Sequence, residues 1–366
     1  QRYLGIKPKT EAPKIEVKEP KPKNEQVKVN QQIEELVKAK GTDSKAYTEE
    51  EKALLKLYSG SGGLEKAGAD GRGLLDEYFT PKEIVDLLYS KLSGFATVRT
   101  DSRIIEPSVG TGRFIEPLQD TPVIGYEINK TSADITSILY PNTVVMNQPF
   151  ENLFIDDRGN RKTYRSNADF VVGNPPYGEH RGKYLGLGEE PKISKYEEYF
   201  VKRGMDILKP EGYLAMVLPS SFLRSPVSYA KQQIAEMGRV VDAYRLPNGA
   251  FDTTTIGTDV VIIKKDPLPD ERTGAEESIK EVRLQQLSGD KFFVDNPNKV
   301  LGEVSKGTGN YGTDEVKGSL DEALSKAGTK KATKVVAPET NNHFENFKIE
   351  NFDSYRPSDI NGLWDD

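Results

Sequence analysis

The chain has 366 residues, of which 36% are hydrophobic and 30% charged, and it carries a net charge of −6. That length holds one large domain or two small ones, and the polar balance implies that part of the chain stays out of a packed core. An acidic pI near 5.4 argues against indiscriminate nucleic-acid binding, so any DNA contact has to come from a local patch or a partner chain.

There is no cysteine, which excludes disulfides and thiolate metal sites. His180 and His343 lie far apart in sequence and suggest no metal centre. The longest apolar runs, such as 213–218, are too short to cross a bilayer, and no secretory signal is visible. The expectation is a cytoplasmic protein with no membrane partner. A start at Gln1 rather than Met is read as the sign of a longer polypeptide.

Residues 1–30 are rich in Lys, Pro and Glu and are expected to form an extended linker. A helical segment comes next over 31–76, with helices predicted from Gln31 to Lys40 and from Thr48 to Tyr58. Thr48 and Glu51 have capping-box spacing. The run Ser59-Gly60-Ser61-Gly62-Gly63 ends the second helix; no strand precedes it and it lacks the Lys-Ser/Thr of a phosphate loop.

The catalytic domain is predicted over 77–266. Its first helix runs from Pro81 to Leu92, with Ile84, Val85, Leu87 and Leu88 as an apolar face and Thr80 as the expected cap. Arg103–Glu106 is predicted as a strand that enters Pro107-Ser108-Val109-Gly110-Thr111-Gly112 and then a helix. Strand, Gly-x-Gly turn and helix form the nucleotide-binding opening of a doubly wound sheet. Glu106 at the strand tip disfavours a phosphate and suits an amine-bearing or cationic ligand, which points to S-adenosylmethionine rather than a dinucleotide. Val123–Ile128 is the second strand and brings up Glu127, spaced to take two ribose hydroxyls. A strand over 144–146 leads to Phe150 and Glu151, with Phe150 expected along an adenine face.

Asp169–Gly173 is a further strand, and the chain is organised around the loop directly after it, Asn174-Pro175-Pro176-Tyr177. Two prolines fix the backbone and hold the Asn side chain on a stiff loop at a strand end, where α/β sheets bind ligands. The Asn174 amide oxygen and the Pro175 carbonyl can accept the two N–H bonds of an exocyclic base amine, localising its lone pair for attack. Tyr177 is placed to stack on the base. A turn that merely ends a strand is the alternative reading.

Residues 178–196 are Gly-rich and read as a substrate loop. Glu197–Leu208 is predicted helical, 209–212 a turn, and 213–218 a buried strand. A helix over 227–237 comes next, then the strand Arg239–Arg245 and a loop holding Phe251. The last strand, 259–265, is expected to pair antiparallel with its predecessor at the sheet edge. Beyond Asp266 the pattern weakens into a C-terminal extension, 267–366, with one more strand at 282–287 and a helix at 320–326.

The motifs between Tyr78 and Lys265 resemble those of the N6-adenine-specific DNA methyltransferases in which the cofactor motifs precede the catalytic one. Tyr78-Phe79-Thr80-Pro81 looks like the element at the methionine end of the cofactor. Glu106 to Gly112 looks like the cofactor loop, Glu127 with Ile128 like the ribose contact, and Phe150 with Glu151 like the adenine contact. Asn174-Pro175-Pro176-Tyr177 looks like the catalytic motif, and Phe251 occupies the place of an aromatic against a flipped base.

The resemblance implies an S-adenosylmethionine-dependent methyltransferase fold. This is a Rossmann-like α/β, seven-stranded mixed sheet with helices on both faces and an antiparallel last strand. It also implies DNA as a partner, and a sequence-recognition element on a longer polypeptide or another subunit. The segments 59–63, 292–293 and 300–302 are similar to flanks of methylase modules in large phage and mobile-element proteins. Methylation of protein glutamine or RNA is the alternative activity, and a non-catalytic module that kept the fold is the alternative class.

Overall fold

A computed structural model describes residues 23–59, 80–118, 121–155, 162–178, 193–251, 256–266, 268, 275–306 and 314–329. The expectations for 1–22, for Tyr78 and Phe79, for His180 and His343, and for the loop residues 179–192 lie outside these residues. So does the Gly-rich run from Gly60 on.

The N-terminal segment is α1 (Lys23–Lys40) and α2 (Glu49–Leu55). α1 starts ahead of Gln31, inside the stretch expected to be linker. Thr48 caps α2 with the reciprocal Glu51 bond that its spacing predicts. In α3 (Lys82–Leu92) the buried face includes Ile84, Val85, Leu87 and Leu88. Pro81, not Thr80, stands at its N-cap, and no side chain closes that end. The expected Thr80 cap is therefore absent; its hydroxyl is buried beside a cavity at the strand tips.

The sheet begins with β1 (Ile104–Glu106) and β2 (Val123–Tyr126). After β2 comes α4 (Lys130–Leu139), capped by the Asn129 side chain. β3 (Thr143–Met146) and β4 (Ala168–Gly173) come next, then α5 (Tyr196–Ile207) and β5 (Leu208–Pro219). The predicted turn at 209–212 bulges out of the β4–β5 ladder, with Glu211 at φ 68°. Two helices, α6 (Ser221–Arg224) and α7 (Tyr229–Met237), precede the antiparallel pair β6 (Gly238–Arg245) and β7 (Thr258–Lys265).

The strand order is β3-β2-β1-β4-β5-β7-β6. β3 through β5 run parallel, and β7 slots antiparallel between β5 and β6. This is the seven-stranded mixed sheet the resemblance implied. Both faces are covered, which explains the unbroken apolar runs. Val171 joins one core with Tyr199, Phe200 and Met205 of α5 and Ile234 of α7. Its neighbours Phe170 and Val172 join the opposite core with Ile84 and Leu88 of α3. A third cluster packs Ile33, Val37 and Leu55 of the N-terminal helices on Ile135 and Ile138 of α4.

The segment expected as a strand at 282–287 belongs instead to the helix α8 (Glu276–Gln286). Leu284 and Leu287 face the core at helical spacing while Val282 points to solvent, 55% exposed. α9 (Lys291–Asp295), a two-stranded ribbon of β8 (Glu303–Ser305) and β9 (Glu315–Lys317), and α10 (Leu320–Ala327) complete the described chain. Phe292 and Phe293 enter one core, and Leu301 and Ala323 the other. Asp290 takes a bidentate bond from Arg245, which also pairs bidentately with Asp259. No helix among the described residues is long and apolar enough to cross a membrane.

Candidate active site

The C-terminal ends of β1, β2, β4 and β5 converge on a cavity of about 390 Å³. The topology dictates the place: the chain crosses from one side of the sheet to the other between β1 and β4, and loops leaving adjacent strand tips there part to leave a crevice.

From the β1 loop, Glu106, Pro107, Ser108 and Gly110 line this cavity. Glu106 is 1% exposed, and neither of its carboxylate oxygens has a hydrogen-bond partner. Burial, with Glu127 nearby, pushes its pKa well above the ordinary carboxylate value. A buried acceptor without a donor is costly unless a ligand supplies one. Gly112 does not reach the cavity. It sits at φ +79°, and a Cβ there would lie 2.4 Å from the Tyr140 ring, so the turn needs glycine to pack against α4.

Glu127 and Ile128, from the tip of β2, also line the cavity. The Glu127 carboxylate accepts the Gly110 amide at 2.8 Å and the Asn129 amide at 2.7 Å. One acid thus holds the Gly loop and starts α4, with the Ile128 amide as a further backbone donor, and two carboxylate oxygens have about four acceptor sites, which leaves capacity for a ligand hydroxyl. Phe150 reaches the wall but is mainly packing, edge-on to Tyr126 at 5.4 Å. Glu151 is 4% exposed, and burial pushes its pKa up to about 7.

Asn174, Pro175, Pro176 and Tyr177 come directly after β4 and form the facing wall. The Ser108 hydroxyl donates to the Asn174 carbonyl at 3.0 Å, tying the two loops together. The Asn174 side-chain oxygen accepts the Tyr177 phenol at 2.5 Å, and the same phenol lies 3.1 Å from the Val217 carbonyl of β5. Burial, with Glu197 and Asp259 adding to it, holds that phenol protonated far above its ordinary range. Beyond the tetrapeptide, the Glu197 carboxylate accepts the Gly178 amide at 2.9 Å, and the Tyr196 amide donates to the Gly178 carbonyl.

Of Thr80 and Pro81, the described members of the 78–81 motif, Thr80 lines the cavity and Pro81 does not. Phe251 departs from its expected role. It is 3% exposed within the core cluster on the α3 face and does not line the cavity. Sequence reading passed over Arg113, Glu197 and Ile256, all of which line the cavity. Arg113 directly follows the Gly-x-Gly turn, which was a usable signal; Glu197 and Ile256 are brought in by α5 and by the approach to β7, which local patterns do not reveal.

A nucleoside ligand with a charged amino-acid end fits this donor set. Glu127 has acceptor capacity for ligand hydroxyls, Glu106 is a buried acid without a donor, and Ile128, Pro149 and Phe200 add apolar surface to the same cavity.

Known proteins are similar to this chain in sequence. Residues 124–241 match the Eco57I restriction-modification methylase family. The chain is 30% identical over 280 residues to Defense against restriction protein B of Escherichia phage P1, covering 72% of this chain and 12% of that protein. It is 29% identical over 198 residues to the type II methyltransferase M.CvrRI of Paramecium bursaria Chlorella virus XZ-6E, covering 51% of this chain and 48% of that one. It therefore spans less than two thirds of the length of either relative. Among solved structures it is similar to the type I restriction-modification methyltransferase subunit from Streptococcus thermophilus, at 18% identity and a TM-score of 0.43, over 68% of this chain and 62% of that one.

Proposed function

We propose that this chain methylates the N6 amino group of adenine in DNA, using S-adenosylmethionine, a reading supported by the match of residues 124–241 to the Eco57I restriction-modification methylase family. The observation that carries this reading is one cavity lined by the unpartnered Glu106, by Glu127 and by Asn174 through Tyr177. Bound S-adenosylmethionine supplies an electrophilic methyl group.

The protein's residues do the rest. Glu127 holds the ribose hydroxyls and Glu106 faces the positively charged end of the cofactor. The target adenine leaves the duplex, at a cost of about a few kcal/mol, and stacks on the Tyr177 ring. The Asn174 amide oxygen and the Pro175 carbonyl accept the two N–H bonds of its amine, which draws the lone pair out of the ring. To do so Asn174 exchanges the Tyr177 phenol for the substrate, and the phenol turns to the Val217 carbonyl, already 3.1 Å away. Held in this way, the amine would be the nucleophile toward the methyl group that the cofactor would supply, and its surplus proton would pass to water, so no strong base is required.

Sequence recognition is assigned to the rest of a longer polypeptide or to a second subunit. The chain's small share of the phage P1 protein supports the first of these. The test is methylation-sensitive sequencing of DNA incubated with the protein and S-adenosylmethionine. New N6-methyladenine made by the wild type and not by Asn174→Ala is the expected result. No new N6-methyladenine with the wild type, or equal amounts with both proteins, overturns it.

A further inference from the structure

We infer that Arg113 holds the carboxylate of the cofactor's amino-acid end, an inference that rests on the S-adenosylmethionine reading of this cavity. An α-amino acid carries an ammonium and a carboxylate about two bonds apart, so a site that takes it needs an anion and a cation together. Glu106 is the acid that faces the ammonium, buried with both oxygens unpartnered. Arg113 lines the same cavity, as does Thr80 from the segment expected at the methionine end.

Three observations mark Arg113 as poised rather than spent. Its Nε is buried without a hydrogen-bond partner. Its Nη2 donates to the Lys56 carbonyl at 3.0 Å, at the C-cap of α2, so the N-terminal helices orient the guanidinium. Glu116, the acid closest to it in sequence, is taken by Lys56 at 2.7 Å. Lys195 also lines the cavity, but its charge acts on Glu197, at the far end of the catalytic loop. A guanidinium that keeps one N–H on a carbonyl still offers a fork of donors to a carboxylate.

Calorimetry on the full 366-residue chain tests this with two ligands, S-adenosylmethionine and its decarboxylated form. The wild type is expected to prefer the intact molecule, and Arg113→Gln to reduce that preference about tenfold or more, the worth of a charge-assisted hydrogen bond. Affinity for the decarboxylated form should stay within about twofold of wild type. Arg113→Lys keeps the charge and should recover part of the preference; it also decides the matter if the Gln variant lacks a cooperative melt.

Equal weakening of both ligands, or no change in the preference, overturns the assignment and leaves Arg113 a strap between α2 and the Gly loop. Failure of both ligands to bind the wild type instead removes the cofactor reading itself.

Discussion

The Tyr177 phenol donates to the side-chain oxygen of Asn174 across 2.5 Å, so the residue expected to stack on the substrate also occupies the acceptor expected to receive it. The two roles separate by substitution. Tyr177→Phe keeps the ring and frees the amide, and kcat should stay within about tenfold of wild type. Tyr177→Ala removes the stacking surface, worth about 1–3 kcal/mol per base, and should raise KM for DNA. Asn174→Ala should lower kcat by roughly 10²–10³-fold, the usual loss for one preorganised polar contact at a reacting centre, with cofactor affinity retained. Steady-state methylation kinetics with labelled cofactor distinguish the three outcomes.

Gly112→Ala probes the turn rather than the chemistry. At φ +79° a Cβ is strained by its backbone, and it would also drive into the Tyr140 ring. Left-handed strain of about 1–2 kcal/mol adds to overpacking of about 1–3 kcal/mol. Thermal melts should show that loss, along with weaker cofactor binding. Gly249→Ala offers a control: it too has positive φ, at +82°, but nothing lies within 4 Å of its Cβ position, so only the backbone strain should appear.

Glu151 makes stability depend on pH in a definite direction. Burial raises its folded pKa to about 7 from an ordinary 4.5, so between these values the folded state binds the proton more tightly. Its contribution favours folding in acid, declines as pH rises from about 4.5 to about 7, and is a constant cost above that. Glu151→Gln removes the cost. The variant should exceed wild type by roughly 1–3 kcal/mol at pH 8, and the advantage should vanish near pH 4. Denaturant melts of the cofactor-free protein across that window give the answer.

Asp259 is fully buried, accepts Ser220 at 2.7 Å and shares Arg245 with Asp290. Asp259→Asn leaves a buried guanidinium with only part of its compensation, and should cost about 2–4 kcal/mol. Because Asp290 lies beyond β7, the same change should loosen residues 275–306, which hydrogen exchange would register as faster amide exchange there.

Much of the sheet was legible because its signals are local. β-branched runs mark β2, β4 and β7, and Asn129 and Thr48 sit where helix caps belong. The cavity residues that sequence reading named lie on loops directly after such strands, where the spacing from strand tip to functional residue is short. The features that sequence reading missed depend on partners far along the chain. Val282 and Leu287 read as strand residues by type, and only docking of Leu284 and Leu287 on the core makes α8 helical. Phe251 has the right order in sequence for a base contact, yet α3 and β7 draw its ring into the core. Arg113 is held by a carbonyl of a helix that ends well before it in the chain. Beyond Asp266 the local pattern is weak, whereas in the described residues 275–306 Phe292 and Phe293 pack into one core and Leu301 into the other.

The slot between β5 and β6 has a consequence for how the polypeptide is made. β6 bonds to no strand of the sheet except β7, so when Arg245 leaves the ribosome it has nowhere to dock, and the inner edge of β5 stands open. Closure waits until about Lys265 has emerged. Nascent chains arrested after residue 250 should therefore be cut readily by protease and bind chaperones, whereas those arrested with residue 266 clear of the exit tunnel should resist digestion.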